Sequence, residues 1–86
     1  VYVLESKKSG ELYMGQTNDL VRRLKEHNQG LNFSTKSARP WRCIYYEACL
    51  EEQDAKRREG YLKTTQGGRM LKRRLREYFY KKKNSI

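Results

Sequence analysis

The sequence predicts an α+β fold, a three-stranded, mainly antiparallel sheet flanked by helices. Three observations carry that prediction. Residues 1–6 and 11–15 are short runs rich in β-branched, aromatic and apolar residues, separated by Lys7, Lys8, Ser9 and Gly10, which is the pattern of a β-hairpin. Apolar residues then recur at helical spacing over 20–27, 55–62 and 70–79. Between the first two helical segments, residues 41–50 are apolar on both alternating sets, as in a strand covered on both faces. The chain has 86 residues, of which 36% are apolar, enough for one domain with a thin core. That domain is assigned to 1–80, with a frayed basic tail over 81–86.

In the hairpin, pairing Ser6 with Glu11 sets Leu4 opposite Tyr13 and Tyr2 opposite Gly15. Tyr2 and Tyr13 are then diagonal neighbours about 7 Å apart on one face. A slip of one residue would separate them. Asn18 is the expected N-cap of the first helix, with Asp19 in its first turn and Gly30 at its end. On that helix Leu20, Leu24 and His27 form the inward stripe, and Arg23 stands beside it, one turn before His27.

The connection over 29–40 is polar and basic, and it allows a short helical turn. Two readings of it stand open. In one, Ser34, Thr35, Lys36 and Arg39 face phosphates; in the other, the loop is a solvated connector with Phe33 tucked into the core. Residues 41–50 are expected to be the central strand, with Ile44, Tyr46, Ala48 and Leu50 on one face and Trp41, Cys43, Tyr45 and Cys49 on the other. Tyr45 and Tyr46 read as buried aromatics.

The second helix, 51–63, carries Ala55, Glu59 and Leu62 at i, i+4 and i+7, so Glu59 falls within the inward face. A carboxylate there must bind a cation or pair with Arg58 or Lys63. Residues 64–68 read as a break, and 69–80 as an amphipathic helix. Residues 69–83 hold eight Lys or Arg against one Glu. Such asymmetry exceeds what i, i+4 pairing can absorb, so Arg69, Arg73 and Arg76 are candidate phosphate contacts.

The net charge of +10 and pI near 9.9 call for a polyanionic partner, with nucleic acid favoured over a membrane surface. No apolar run approaches the ~20 residues of a membrane span, and no signal peptide is recognised at the start. A cytoplasmic protein with reduced Cys43 and Cys49 is the expectation. Two distant cysteines and one histidine do not make a zinc site.

Val1-Tyr2, then Tyr13-Met14-Gly15, Arg23 and His27, with the following run to Gly30, resemble the GIY-YIG nuclease superfamily. The Gly of the first triplet would precede Val1, Val1 stands for its Ile, and Met14 replaces the second Ile. Glu59 matches the later acidic residue, and the likeness extends to about Arg76.

The resemblance implies hydrolysis of a nucleic-acid phosphodiester, with DNA expected, by an activated water. Glu59 would hold one divalent ion, magnesium or manganese; a single carboxylate plus waters suits magnesium. Arg23 would neutralise the scissile phosphate. Tyr2 or Tyr13 would act as base or water orienter, with His27 accepting or relaying the proton. A free phenol, with a pKa near ~10, is ionised to about one part in a thousand at neutral pH, so Arg23 and the ion are expected to lower it. The alternatives are a non-catalytic basic nucleic-acid-binding module, and a nuclease subunit that relies on a protein partner for substrate recognition.

Overall fold

The computed structural model describes residues 1–83. Its elements are β1 (Tyr2–Ser6), β2 (Leu12–Gly15), α1 (Leu20–Gln29), a 3-10 turn (Lys36–Ala38), β3 (Trp41–Tyr46), α2 (Glu52–Leu62), α3 (Thr65–Arg74) and α4 (Arg76–Lys83). The expected α+β arrangement is present, and the hairpin has the expected register, with Leu4 opposite Tyr13 and Tyr2 opposite Gly15. Ser6 organises the turn. Its N–H donates to Glu11 at 2.9 Å, its hydroxyl accepts from the N–H groups of Lys8 and Ser9, and Gly10 supplies the positive φ of 80°.

The strand order is β2-β1-β3, so the central strand is β1 and β3 lies at an edge, contrary to the expectation for 41–50. Every residue of β1 is buried. Tyr2 and Leu4 pack with Trp41, Leu20 and Leu24 beneath α1, while Val3 packs on the other face with Ala55, Leu62 and Leu71 of α2 and α3. The apolar character of both sides of β3 has a local cause. Pairing jumps from Val3–Tyr45 to Leu4–Cys43, leaving Ile44 as a bulged residue. Trp41 and Cys43 therefore join the α1 side, whereas Ile44 and Tyr45 both join the α2 side. The strand ends at Tyr46, and Tyr46 and Leu50 are exposed rather than buried. Cys43 and Cys49 are free thiols.

Asp19, not Asn18, caps α1: its carboxylate accepts from the Arg22 N–H at 3.1 Å. Gly30 ends the helix in the left-handed conformation, as expected. The expected break over 64–68 is helical instead. The Thr64 hydroxyl accepts from the Gly67 N–H at 3.0 Å and starts α3 there. Gly67 is required because α3 crosses the end of α2 so closely that any Cβ would overlap the Tyr61 carbonyl. The single helix expected over 69–80 is divided at Leu75. Lys81, Lys82 and Lys83 continue α4 rather than fraying; Asn84, Ser85 and Ile86 of the expected tail lie outside the described residues. Glu5, buried in β1, accepts from the Tyr78 hydroxyl and the Lys82 ammonium, with Arg42 3.9 Å away.

Gly67→Ala should cost about 1–3 kcal/mol by overpacking. Gly60→Ala, where a Cβ meets nothing within 4 Å, should stabilise α2 by about 0.4–1 kcal/mol. Urea unfolding of the two variants checks the contrast, and equal effects would refute the close crossing.

Candidate active site

The site begins at a glycine. Gly15 lies opposite Tyr2 across the β1–β2 ladder, and a Cβ there would sit 2.5 Å from the phenol ring. Its absence lets the Tyr2 ring lie across β2. Tyr13, two residues earlier on the same face, brings its ring centroid to 6.3 Å from Tyr2 and 5.0 Å from His27, and also packs on Trp41. Helix α1 supplies His27 from above, fully buried. Asn28, the next residue, fastens the end of α1 to β3 by exchanging two hydrogen bonds with the Trp41 backbone, at 2.6 and 3.0 Å.

A chain of hydrogen bonds runs through the imidazole. The Tyr2 hydroxyl lies 3.0 Å from Nε2, and Nδ1 lies 2.7 Å from the Thr35 hydroxyl, which donates to the Asn32 carbonyl at 3.4 Å. Burial, and then the Arg23 charge, push the His27 pKa below 6.5, while Glu26 opposes them. The ring is therefore neutral at pH 7. With Thr35 donating onward, Nδ1 carries the proton and Nε2 accepts from Tyr2. Thr35 is thus buried as the partner of His27, not facing phosphates, and Ser34 donates to Asn32 within its own loop. Nothing in the sequence signals the Thr35 link, since the loop has no period that ties it to α1.

The Arg23 guanidinium lies beside the Tyr2 phenol and donates to Glu26 at 3.1 Å. Burial raises the Tyr2 pKa; Arg23 acts downward, as expected, but Tyr13 and Glu59 also raise it, and the net shift is upward. The resting phenol keeps its proton.

Glu59 comes from α2, in a different layer from the hairpin and α1, and its charge acts on Tyr2. Its helix packs on the opposite face of the sheet and also touches the edge strand β2. Its carboxylate, 24% exposed, accepts from Lys63 at 2.9 Å and reaches Tyr2 only through space. Among the described residues no three His, Cys, Asp or Glu side chains gather as a protein-built metal cage. The donor set offered is one carboxylate, which fits an ion such as magnesium that keeps most of its waters.

Tyr2 lines a cleft of about 580 Å³ with Gln16, Asn18, Tyr46 and Glu52. Lys36 and Arg39 are exposed beside Phe33, which projects into solvent rather than into the core. Arg69 and Arg73 on α3 and Arg76 on α4 are exposed as well. No helix among the described residues is long and apolar enough to cross a membrane.

The profile of the GIY-YIG catalytic domain matches residues 1–72. The chain belongs to the GIY-YIG family. This is a nuclease-type family, so the cluster around Tyr2 lies in a domain whose kind is catalytic. A UPF0213 protein of Streptococcus agalactiae is 42% identical over 64 residues, covering 73% of this chain and 72% of its own. A UPF0213 protein of Clostridium perfringens is 38% identical over 64 residues, covering 73% and 68%. The UPF0213 protein YazA of Bacillus subtilis is 33% identical over 85 residues, covering 98% and 80%. No solved structure matches the chain.

Because the His27 pKa is lowered in this GIY-YIG domain, the unfolded chain takes up a proton below pH 6.5 before the folded one does. Stability from this source is complete above 6.5 and is lost as pH falls below it. Denaturant unfolding at pH 7.5 and 5.5 should show that loss in the wild type and less of it in His27→Gln. Thr35→Val should cost about 1–3 kcal/mol by leaving Nδ1 unpaired, and Thr35→Ser should recover most of it.

Proposed function

We propose that the chain is a divalent-metal-dependent endonuclease that hydrolyses nucleic-acid phosphodiester bonds, DNA foremost, with Tyr2, Tyr13, Arg23, His27 and Glu59 forming its catalytic group. The observation that carries this reading is the contact between the Tyr2 phenol and a neutral, buried His27, with Arg23 beside them. A buried phenol with a raised pKa is a poor standing base. As a relay it has no such difficulty: Tyr2 accepts a proton from water while passing its own to His27 Nε2. The water oxygen then forms the new bond to phosphorus, and the bond to the leaving oxygen breaks. Thr35 holds the imidazole in the accepting tautomer, and Tyr13 packs edge-on against the ring to keep its orientation. Arg23 suits the scissile phosphate, whose charge its planar fork matches.

Glu59 would hold one magnesium or manganese ion, which when bound supplies charge stabilisation at the phosphate and leaving oxygen. Lys63 would have to release the carboxylate. Lys36, Arg39, Arg69, Arg73 and Arg76 supply exposed positive charge for the rest of the strand. A cytoplasmic location and a protein partner that brings the substrate are consistent parts of this proposal. The second reading, a non-catalytic nucleic-acid-binding module, draws on the Glu59–Lys63 pair, which is also how an ordinary surface carboxylate is satisfied.

Glu59→Gln separates the two. It removes the charge at constant shape, so folding and binding should persist while cleavage in magnesium falls by about a hundredfold or more, given the several kcal/mol a metal contributes. Wild-type cleavage by this variant, or tight binding with no metal-dependent cleavage by the parent, would leave the binding module standing. Neutralising Arg69, Arg73 and Arg76 should lower the salt dependence of duplex binding by about 0.9 log units per lost contact. An unchanged slope would leave the exposed arginines of α3 and α4 with no part in binding.

A further inference from the structure

The loop over 31–39, between α1 and β3, holds a large apolar side chain in water without any use for it inside the fold. Phe33 is 93% exposed. Its loop is nevertheless tightly built. Asn32 Oδ1 accepts from the Ser34 N–H at 3.0 Å and the Ser34 hydroxyl at 2.7 Å. Thr35, two residues after Phe33, is buried, and its carbonyl accepts from the Trp41 indole at 2.9 Å. An ordered loop that forgoes burial of a phenyl ring gives up stabilisation that the core could have used.

Phe33 shares a shallow groove of about 670 Å³ with Lys8, Ser34, Lys36, Ser37 and Arg39. Every ionisable group in that lining is a cation. Lys8 is steadied by donating to the Ser37 carbonyl at 3.3 Å, and Arg39 lies against Gly30, where a Cβ would overlap its guanidinium. An aromatic face bordered by cations and hydroxyls matches a nucleobase with its flanking phosphates. A protein ligand for a phenyl ring would need no such charge.

We propose that this groove takes an unpaired nucleobase stacked on Phe33, with the adjoining phosphates held by Lys8, Lys36 and Arg39. The inference rests on the nucleic-acid reading above and narrows it: the preferred strand has unpaired bases. In a continuous duplex both faces of each base are already stacked, and inserting a ring costs a few kcal/mol of unstacking. An unpaired base offers a free face. Because Thr35 of the same loop bonds His27 at 2.7 Å, the stacked base is tied to the catalytic cluster through a short, buried connection.

The test is binding in chelator, which keeps it independent of cleavage. The probes are a labelled single-stranded oligonucleotide carrying 2-aminopurine, and its duplex. Phe33→Ala should weaken single-strand binding by roughly 5- to 100-fold, leave the duplex within about twofold, and abolish 2-aminopurine quenching. Its salt slope should stay unchanged, because no cation is lost, whereas Lys36→Gln with Arg39→Gln should reduce the slope by about 0.7 per contact on single strands. Phe33→Trp should retain the affinity. The proposal is overturned if Phe33→Ala binds single strands like the wild type, if it loses both forms equally, or if the wild type binds neither. The parent's cleavage in magnesium is scored separately. Single-strand discrimination by Phe33 without any cleavage supports the groove and removes the nuclease reading; cleavage without an effect of Phe33 does the reverse.

Discussion

Burial of β1 on both faces is the constraint on which the rest of the structure depends. A strand of five residues can be covered on both sides only if consecutive side chains send their partners to opposite layers. Tyr2 and Leu4 call for α1 and Trp41, while Val3 and Glu5 call for α2, α3 and α4. Glu5 imposes the strictest demand, since a buried carboxylate without partners is far more costly than any apolar neighbour is stabilising. Tyr78 and Lys82 meet it from α4, with Arg42 nearby on β3. The end of the described chain is thereby fixed to its central strand, and the last lysines are drawn into a helix. Part of the basic charge that reads as a nucleic-acid surface is instead structural.

What the sequence disclosed follows the range of the forces involved. The hairpin was legible because period-two alternation and a polar turn act within fifteen residues, and they set Tyr2 opposite Gly15 as found. Strand order was not legible. Residues 41–50 mimic a central strand, but their two-sided apolar pattern comes from the bulge at Ile44, and a one-residue slip of register leaves no mark in composition. The glycines at 67 and 68 argued for a break, and tertiary packing reversed that local preference, because only a glycine admits the close crossing of α3 over α2. Leu50 and Phe33 looked like core residues by type, yet both are exposed.

The site was legible in the same uneven way. Tyr2, Tyr13, Arg23 and His27 could be brought together from strand and helix periods alone, and the structure brings them together. Thr35 could not be found so, because its position beside His27 depends on how an irregular loop folds back beneath Trp41. For Glu59 the helical period indicated an inward face and offered a bound cation, Arg58 or Lys63 as its partner, without choosing among them. The structure pairs it with Lys63, and its charge still acts on Tyr2.

In the proposed reaction, the separation of charged from neutral groups has a catalytic meaning. Exposed cations such as Lys36, Arg39 and Arg69 attract phosphate equally before and during bond breaking, so they raise affinity without lowering the barrier from the bound state. The Tyr2–His27 pair is different, because burial keeps both groups uncharged at rest. Its electrostatic character changes only as a proton moves, and that occurs during the chemical step. Arg23 stands where the two sets meet. It favours negative charge developing on the phenol oxygen as Tyr2 gives up its proton, and it opposes the positive charge that His27 takes on in the same step, so the imidazolium the relay forms is short-lived. A proton that reaches His27 is therefore held weakly and, in the proposed cycle, returns to Tyr2 as Tyr2 passes a proton to the leaving oxygen or to solvent, which resets the pair.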